Sequence, residues 1–206
     1  MVITVKQVLH LIRQSAAEAM MRSDIFERFP DGIDFVVVSP LAEGTDRLVA
    51  QAGIDLKYRL GAILPFCAAD YEATFDLGDR AVAEFRALLD AAAPPAGYGV
   101  LVLDGQAGSH QQRDAAFMNC ARAVARWSDI LIAILSEDRT TSQTGLSVHD
   151  AMQAGVPVIL IDPKQSKNFT VRHCADGKEI PSPDRDQRIG ELVSSLLMHR
   201  RTAPTA

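Results

Sequence analysis

Two short stretches of this chain gather residue types that hold or transform a ligand carrying phosphate or sugar. The first runs Ser39-Pro40-Leu41-Ala42-Glu43-Gly44-Thr45-Asp46-Arg47. Ser39 and Thr45 offer hydroxyls, Gly44 lets the backbone turn sharply, and Arg47 carries a guanidinium that pairs with phosphate. Glu43 and Asp46 are carboxylates, suited to a ribose hydroxyl or to work as a base. Each residue also has a plainer reading: Gly44 for turn geometry, Asp46 as a charge at a helix start, Arg47 on a solvent face. The second stretch is Thr140-Thr141-Ser142-Gln143-Thr144-Gly145. Its hydroxyls could cradle an anion, or simply cap the helix that follows.

Other chemistries lack their residues. His149 and Asp150 are adjacent, so on a helix their side chains diverge and form no dyad; a surface histidine is the reading. No His/Cys/Asp cluster has metal-ligand spacing, and no P-loop or nucleophile elbow is present. The expected metal set is none, and the expected cofactor set holds nothing beyond a nucleotide-like ligand.

The elements that must position these loops follow from apolar patterning. Phe35–Val38 is a β-branched run stopped by Ser39-Pro40, which suits a strand buried on both faces. Thr45 reads as the N-cap of a helix carrying Leu48, Val49, Ala52 and Ile54, and Leu60–Leu64 is the next strand. A ligand in such a unit sits where strand gives way to helix.

Elsewhere, apolar residues from Val5 to Ala19 recur at helical spacing, and Arg22–Asp34 is a polar connection. Cys67–Gly78 is a loop holding Asp70, Tyr71 and Asp76, followed by a helix over 79–93 that Pro94-Pro95 ends. Strands are expected at Val100–Leu103, Ile130–Leu135 and Val156–Ile161, with helices at His110–Trp127 and Gly145–Ala154 between them. Lys164–Arg185 reads as a long loop before a last helix near Asp186–Arg200. Alternating strands and helices indicate a parallel sheet covered on both faces, with Ser39–Asp46 and Ser136–Thr144 at its carboxyl edge.

The net charge of −5 argues against a broad phosphate-backbone surface, so nucleic acid is disfavoured as a partner. Cys67, Cys120 and Cys174 are widely spaced and read as reduced thiols. No apolar run reaches membrane-spanning length and no signal-peptide pattern opens the chain, so a cytoplasmic location is expected. The partners expected are a small ligand and, as an open alternative, a second copy of the chain.

The stretch Val38-Ser39-Pro40-Leu41-Ala42-Glu43-Gly44-Thr45-Asp46-Arg47-Leu48-Val49-Ala50, with Leu64-Pro65-Phe66 and Asp70-Tyr71, resembles the SLOG superfamily. That group includes DNA-processing protein A and the Lonely guy phosphoribohydrolases. The closest likeness is to its uncharacterised bacterial branch, which reads like SGLAEGADRLVAE…LPF…EY. The resemblance implies a Rossmann-like three-layer α/β fold with a mainly parallel sheet of at least five strands. Chain length indicates one domain over residues 1–200, and the terminal residues 201–206 read as a disordered tail. The resemblance also implies a nucleotide-derived, ADP-ribose-like ligand held by Ser39, Gly44, Thr45, Asp46, Arg47, Ser142, Thr144 and Gly145.

Trp127–Asp162 extends the likeness, with Ser142-Gln143-Thr144 standing where the family has Gly-Gly-Thr. Two departures matter. The first turn after that loop holds Gly145, Leu146 and Ser147, where the Lonely guy enzymes place glutamates and the related nucleoside deoxyribosyltransferases place their nucleophile. The resemblance therefore implies ligand sensing rather than N-glycoside cleavage, with Glu43 or Asp46 as the only stand-in carboxylates. A ligand-free scaffold is the third reading. The family also opens with a strand and a Gly-His-Arg-like turn ahead of its first helix. Here the residues start at the helix, so either the assigned start is late or this member has lost the strand.

Overall fold

The computed structural model describes residues 1–136, 142–165, 169–172, 174–175, 178–179 and 185–199. Helix α1 (Val2–Met20) and the short α2 (Ser23–Phe26) precede β1 (Val36–Ser39). Then follow α3 (Thr45–Asp55), β2 (Arg59–Leu64), α4 (Ala68–Glu72), α5 (Gly78–Ala92) and β3 (Gly99–Val102). The second half runs α6 (His110–Trp127), β4 (Leu131–Ile134), α7 (Gln143–Gln153), β5 (Val158–Ile161) and β6 (Phe169–Arg172). Two-residue strands β7 (Cys174–Ala175) and β8 (Lys178–Glu179) form an antiparallel ladder before α8 (Arg185–His199). Among the described residues no helix is long and apolar enough to cross a membrane.

A single mainly parallel sheet of at least five strands is not what forms. The strands make two three-stranded sheets, β1-β2-β3 and β4-β5-β6. The first is parallel throughout; in the second, β4 and β5 are parallel and β6 is antiparallel to β5. The physical reason for the split is that β1 and β4 do not pair. Their facing edges instead line one cavity of about 920 Å³. Strand β6 also falls inside Lys164–Arg185, expected to be a loop, because Phe169 and Val171 alternate inward onto Ile161 and Ile159. Helix α4 likewise occupies part of the expected loop Cys67–Gly78. The expected tail 201–206 lies outside the described residues.

The two sheets still share one layer arrangement. Leu60, Ala62 and Leu64 of β2, Ile159 and Ile161 of β5, and Phe169 and Val171 of β6 belong to one buried cluster with α1, α5 and α8 residues. On the other face, Ile63 packs on Cys120 and Val124 of α6, and Val158 and Leu160 pack on Val148 and Ala151 of α7. Helix α1 packs on α3 and α8, and α3 on α5, while α6 packs on α7. Period-two alternation along the strands sends successive residues to opposite helical layers. Gly53 shows how closely α3 lies on β1: a Cβ there would come within 2.6 Å of Val37 Cγ2.

Candidate functional site

Helix α6 fixes the relative direction of the two sheets. Phe117 stacks at 5.7 Å from Phe66, just past the end of β2, and Cys120 Sγ donates to Ile63 O at 3.0 Å. The helix thus descends antiparallel to β2 and delivers the chain to the start of β4. Strand β4 then climbs in the same direction as β1. The carboxyl ends of both strands open onto one mouth, lined by Ser39, Pro40, Glu43, Thr45 and Asp46 from one side and Gln143, Thr144 and Ser147 from the other. These are the two stretches singled out in the sequence, brought to one cavity. Thr140 and Thr141 lie outside the described residues.

The individual residues divide into those that face the cavity and those that build its walls. Ser39 is buried; its hydroxyl accepts from Leu41 N at 3.1 Å and donates to Asp46 O at 3.3 Å, tying the turn to the start of α3. Gly44, not Thr45, is the N-cap residue of α3, at φ +90°, and no side chain caps that end. Thr45 is the first helical residue instead, so the amides of the first turn of α3 keep their capacity for an external acceptor. Ser142 caps α7, its hydroxyl accepting from Gly145 N at 3.2 Å. Neither Ser142 nor Gly145 lines the cavity, whereas Thr144 does.

Arg47 occupies neither of the positions read from the sequence. It is 2% exposed and absent from the cavity wall. Its Nε donates to Leu41 O at 3.0 Å and its Nη1 to Ala81 O at 2.8 Å, with the guanidinium 4.3 Å from the Phe75 ring centroid. The exposed Glu84 carboxylate approaches Nη1 at 3.5 Å. Glu43 faces the mouth but its carboxylate already accepts from Asp76 N at 2.8 Å and Leu77 N at 3.2 Å. Its work is to hold the loop that leads into α5.

Asp46 is different. Among the described residues no hydrogen-bond donor reaches its carboxylate, and it lines the cavity. Burial pushes its pKa up to about 6, a rise that the Arg47 charge only partly offsets. Around it stand groups not singled out from sequence for this site. Tyr71 is 2% exposed, lines the cavity, and packs edge-on against Phe66, Phe75 and Phe85. Burial, and to a lesser degree the Asp46 charge, raises its phenol pKa. Cys120 is pushed up to about 12 by the same two causes, so it is an inert thiol. Tyr71 was legible in the sequence only through the Asp70-Tyr71 pair of the family-like motif, not as a residue of this site.

Among the described residues no Lys, Arg or His lines the cavity; its ionisable lining residues include the carboxylates Asp34, Glu43, Asp46 and Asp129. Among the described residues no cluster of three His, Cys, Asp or Glu is placed to hold a metal ion. Among the described residues, helix amides and hydroxyls are what an anion at the mouth would rest on, while a hydroxyl or amine donor would find Asp46. His149 is exposed and Asp150 accepts from Arg122 Nε at 2.8 Å, so that pair has no part in the mouth. No family model matches the chain, and neither a curated protein nor a solved structure matches it.

Proposed function

We propose that this chain is a binding domain for a nucleotide-derived small molecule, held at the mouth shared by β1 and β4. The observation that supports the reading is that the first turns of α3 and α7 and the unpartnered carboxylate of Asp46 line one cavity. In this reading Asp46 accepts from ribose hydroxyls, and the first-turn amides of α3 hold a phosphate oxygen with Thr45 and Thr144. Tyr71, Phe75 and Phe117 offer aromatic surface to a base. The carboxylates Asp34, Glu43, Asp46 and Asp129 in the lining oppose each added phosphate, so nucleosides and nucleoside monophosphates are favoured over triphosphates.

The test is a thermal-shift series with nucleosides, nucleoside monophosphates, triphosphates and ADP-ribose, repeated on Asp46→Asn. A concentration-dependent rise in Tm that Asp46→Asn abolishes supports the reading. A flat response to every compound turns it over in favour of a scaffold.

A second reading, N-glycoside hydrolysis, is favoured by one feature: a carboxyl titrating near neutrality inside a cavity is suited to protonate a leaving base. The first turn of α7 supplies no second carboxylate, only Gly145, Leu146 and Ser147. Release of free base from nucleoside monophosphates, lost in Asp46→Asn, would favour this reading over simple binding.

A further inference from the structure

Several polar side chains in the cavity wall already have partners within the protein. The Ser39 hydroxyl accepts from Leu41 N and donates to Asp46 O, and the Glu43 carboxylate accepts from Asp76 N and Leu77 N. Tyr58, a buried tyrosine of the same wall, donates its phenol to Leu9 O at 2.7 Å. Tyr71 departs from that pattern. It is buried more deeply than Tyr58, 2% exposed against 8%, yet its phenol meets no hydrogen-bond partner among the described residues. The oxygen is not sealed off, because the residue lines the cavity and the oxygen keeps contact with its space. A buried donor left unmet costs free energy, so such a group calls for an acceptor.

The phenol is also held still. Its ring packs edge-on against Phe66, Phe75 and Phe85 at centroid distances of 5.7, 5.2 and 5.6 Å, and Thr74 Oγ1 donates to its backbone carbonyl at 2.7 Å. Close by stands the Asp46 carboxylate, whose charge acts on both the Tyr71 phenol and the Cys120 thiol. Cys120 is already taken, its Sγ donating to Ile63 O at 3.0 Å. One acceptor on α3 and one donor on α4 thus open on the same space without bonding each other. Their chemistry narrows what fits between them. A ligand carbonyl accepts from the phenol but gives nothing to the carboxylate. A base amino group gives to the carboxylate but accepts nothing, since its lone pair is delocalised into the ring. A phosphate oxygen is opposed by the Asp46 charge. An alcohol hydroxyl gives and accepts at one atom.

We propose that Asp46 and Tyr71 clamp a single sugar hydroxyl, which donates to the carboxylate and accepts from the phenol, and that this clamp makes the site selective for ribose over deoxyribose. The inference rests on the reading of the mouth as a nucleotide-derived site and adds the substrate class: ribonucleosides and their monophosphates, not their deoxy counterparts. A ligand without that hydroxyl leaves a carboxylate and a phenol unmet together among the rings of Phe75 and Phe117, where a missing bond weighs more than in water. Tyr71 is thus a specificity-determining residue. Its ring walls the site and its hydroxyl reads the sugar.

The test is calorimetric titration of the 206-residue chain and of Tyr71→Phe with adenosine, guanosine, cytidine and uridine, each beside its 2′-deoxy and 3′-deoxy forms. For the ribonucleosides that bind the parent, one of the two deoxy forms should bind about thirtyfold or more weaker. Tyr71→Phe should weaken ribonucleoside binding by about tenfold and shrink that discrimination to about threefold or less. A second measurement separates reading the sugar from holding the fold. Without ligand, Tyr71→Phe keeps or raises the parent's Tm, because the hydroxyl it removes has no protein partner to lose. A clear fall in the Tm of the free variant overturns the proposal, since the phenol then serves the fold. It is also overturned if both deoxy forms bind as well as the ribonucleosides, or if the discrimination survives unchanged in Tyr71→Phe; either outcome leaves the nucleotide-binding reading standing. Failure of every compound to bind the parent overturns that reading and the clamp with it.

Discussion

Arg47 Nε donates at 3.0 Å to the carbonyl of Leu41, a fully buried leucine whose φ of +56° lies in the left-handed region. That bond, with Ser39 Oγ accepting from Leu41 N, pins a strained non-glycine turn at the carboxyl end of β1. The arginine of the Glu-Gly-Thr-Asp-Arg stretch is thus the brace of the mouth wall, and it is its neighbour Asp46 that lines the cavity.

Arg47→Met should therefore lower stability by about 2–4 kcal/mol, because the carbonyls of Leu41 and Ala81 lose their donors in a buried setting. Arg47→Lys should rescue only part, since a single ammonium cannot reach both carbonyls in the guanidinium's planar geometry. Denaturant midpoints of both variants check this. A stable Arg47→Met would mean the turn holds itself.

The Asp46 carboxyl gives stability a pH dependence with a definite sign. Its folded pKa near 6 is above the ordinary carboxylate value, so between about pH 4 and 6 the native state keeps a proton that the unfolded chain has lost. Stability from this group is full below that window and falls as pH rises through it, by about 3 kcal/mol at most. Asp46→Asn should match the parent near pH 4 and exceed it in Tm at pH 7. Parallel Tm-versus-pH curves for the two proteins would contradict the placement of this carboxyl.

Gly44 sits at φ +90° with nothing within 4 Å of the position a Cβ would take. Gly44→Ala should cost about 1–2 kcal/mol through backbone strain alone, without a clash. Equal stability of parent and variant in urea titrations would show that the turn does not need its positive φ.

Glu43→Gln weakens the acceptor that holds Asp76 N and Leu77 N. Exchange of those two amides should quicken by about tenfold, with a stability loss of about 1 kcal/mol. Unchanged exchange at both would place the hold on the α5 entry elsewhere.

Much of the architecture was legible in the residues. Val36–Ser39, Arg59–Leu64 and Val158–Ile161 are apolar runs cut by Pro, Gly or Asp, and they become strands within a residue or two of where those interruptions fall. Helix periods behaved likewise, since burying one apolar face is a local demand that the chain carries in its spacing. Pairing is not local. Whether β1 bonds to β4 depends on what lies between their edges, and no property of either run records it; the expected single sheet is therefore two. Strand β6 was hidden for the same reason, because Phe169 and Val171 gain their burial only from Ile159 and Ile161. At the mouth, Ser39, Thr45, Asp46 and Thr144 could be picked out by residue type. Only packing decided that Arg47 turns inward to Leu41 and Ala81 and that Glu43 is taken by two backbone amides. It also brought Tyr71 beside Asp46. A side chain's chemistry is written in its type, but the partner that uses it is chosen by whichever group the fold brings within about 3 Å.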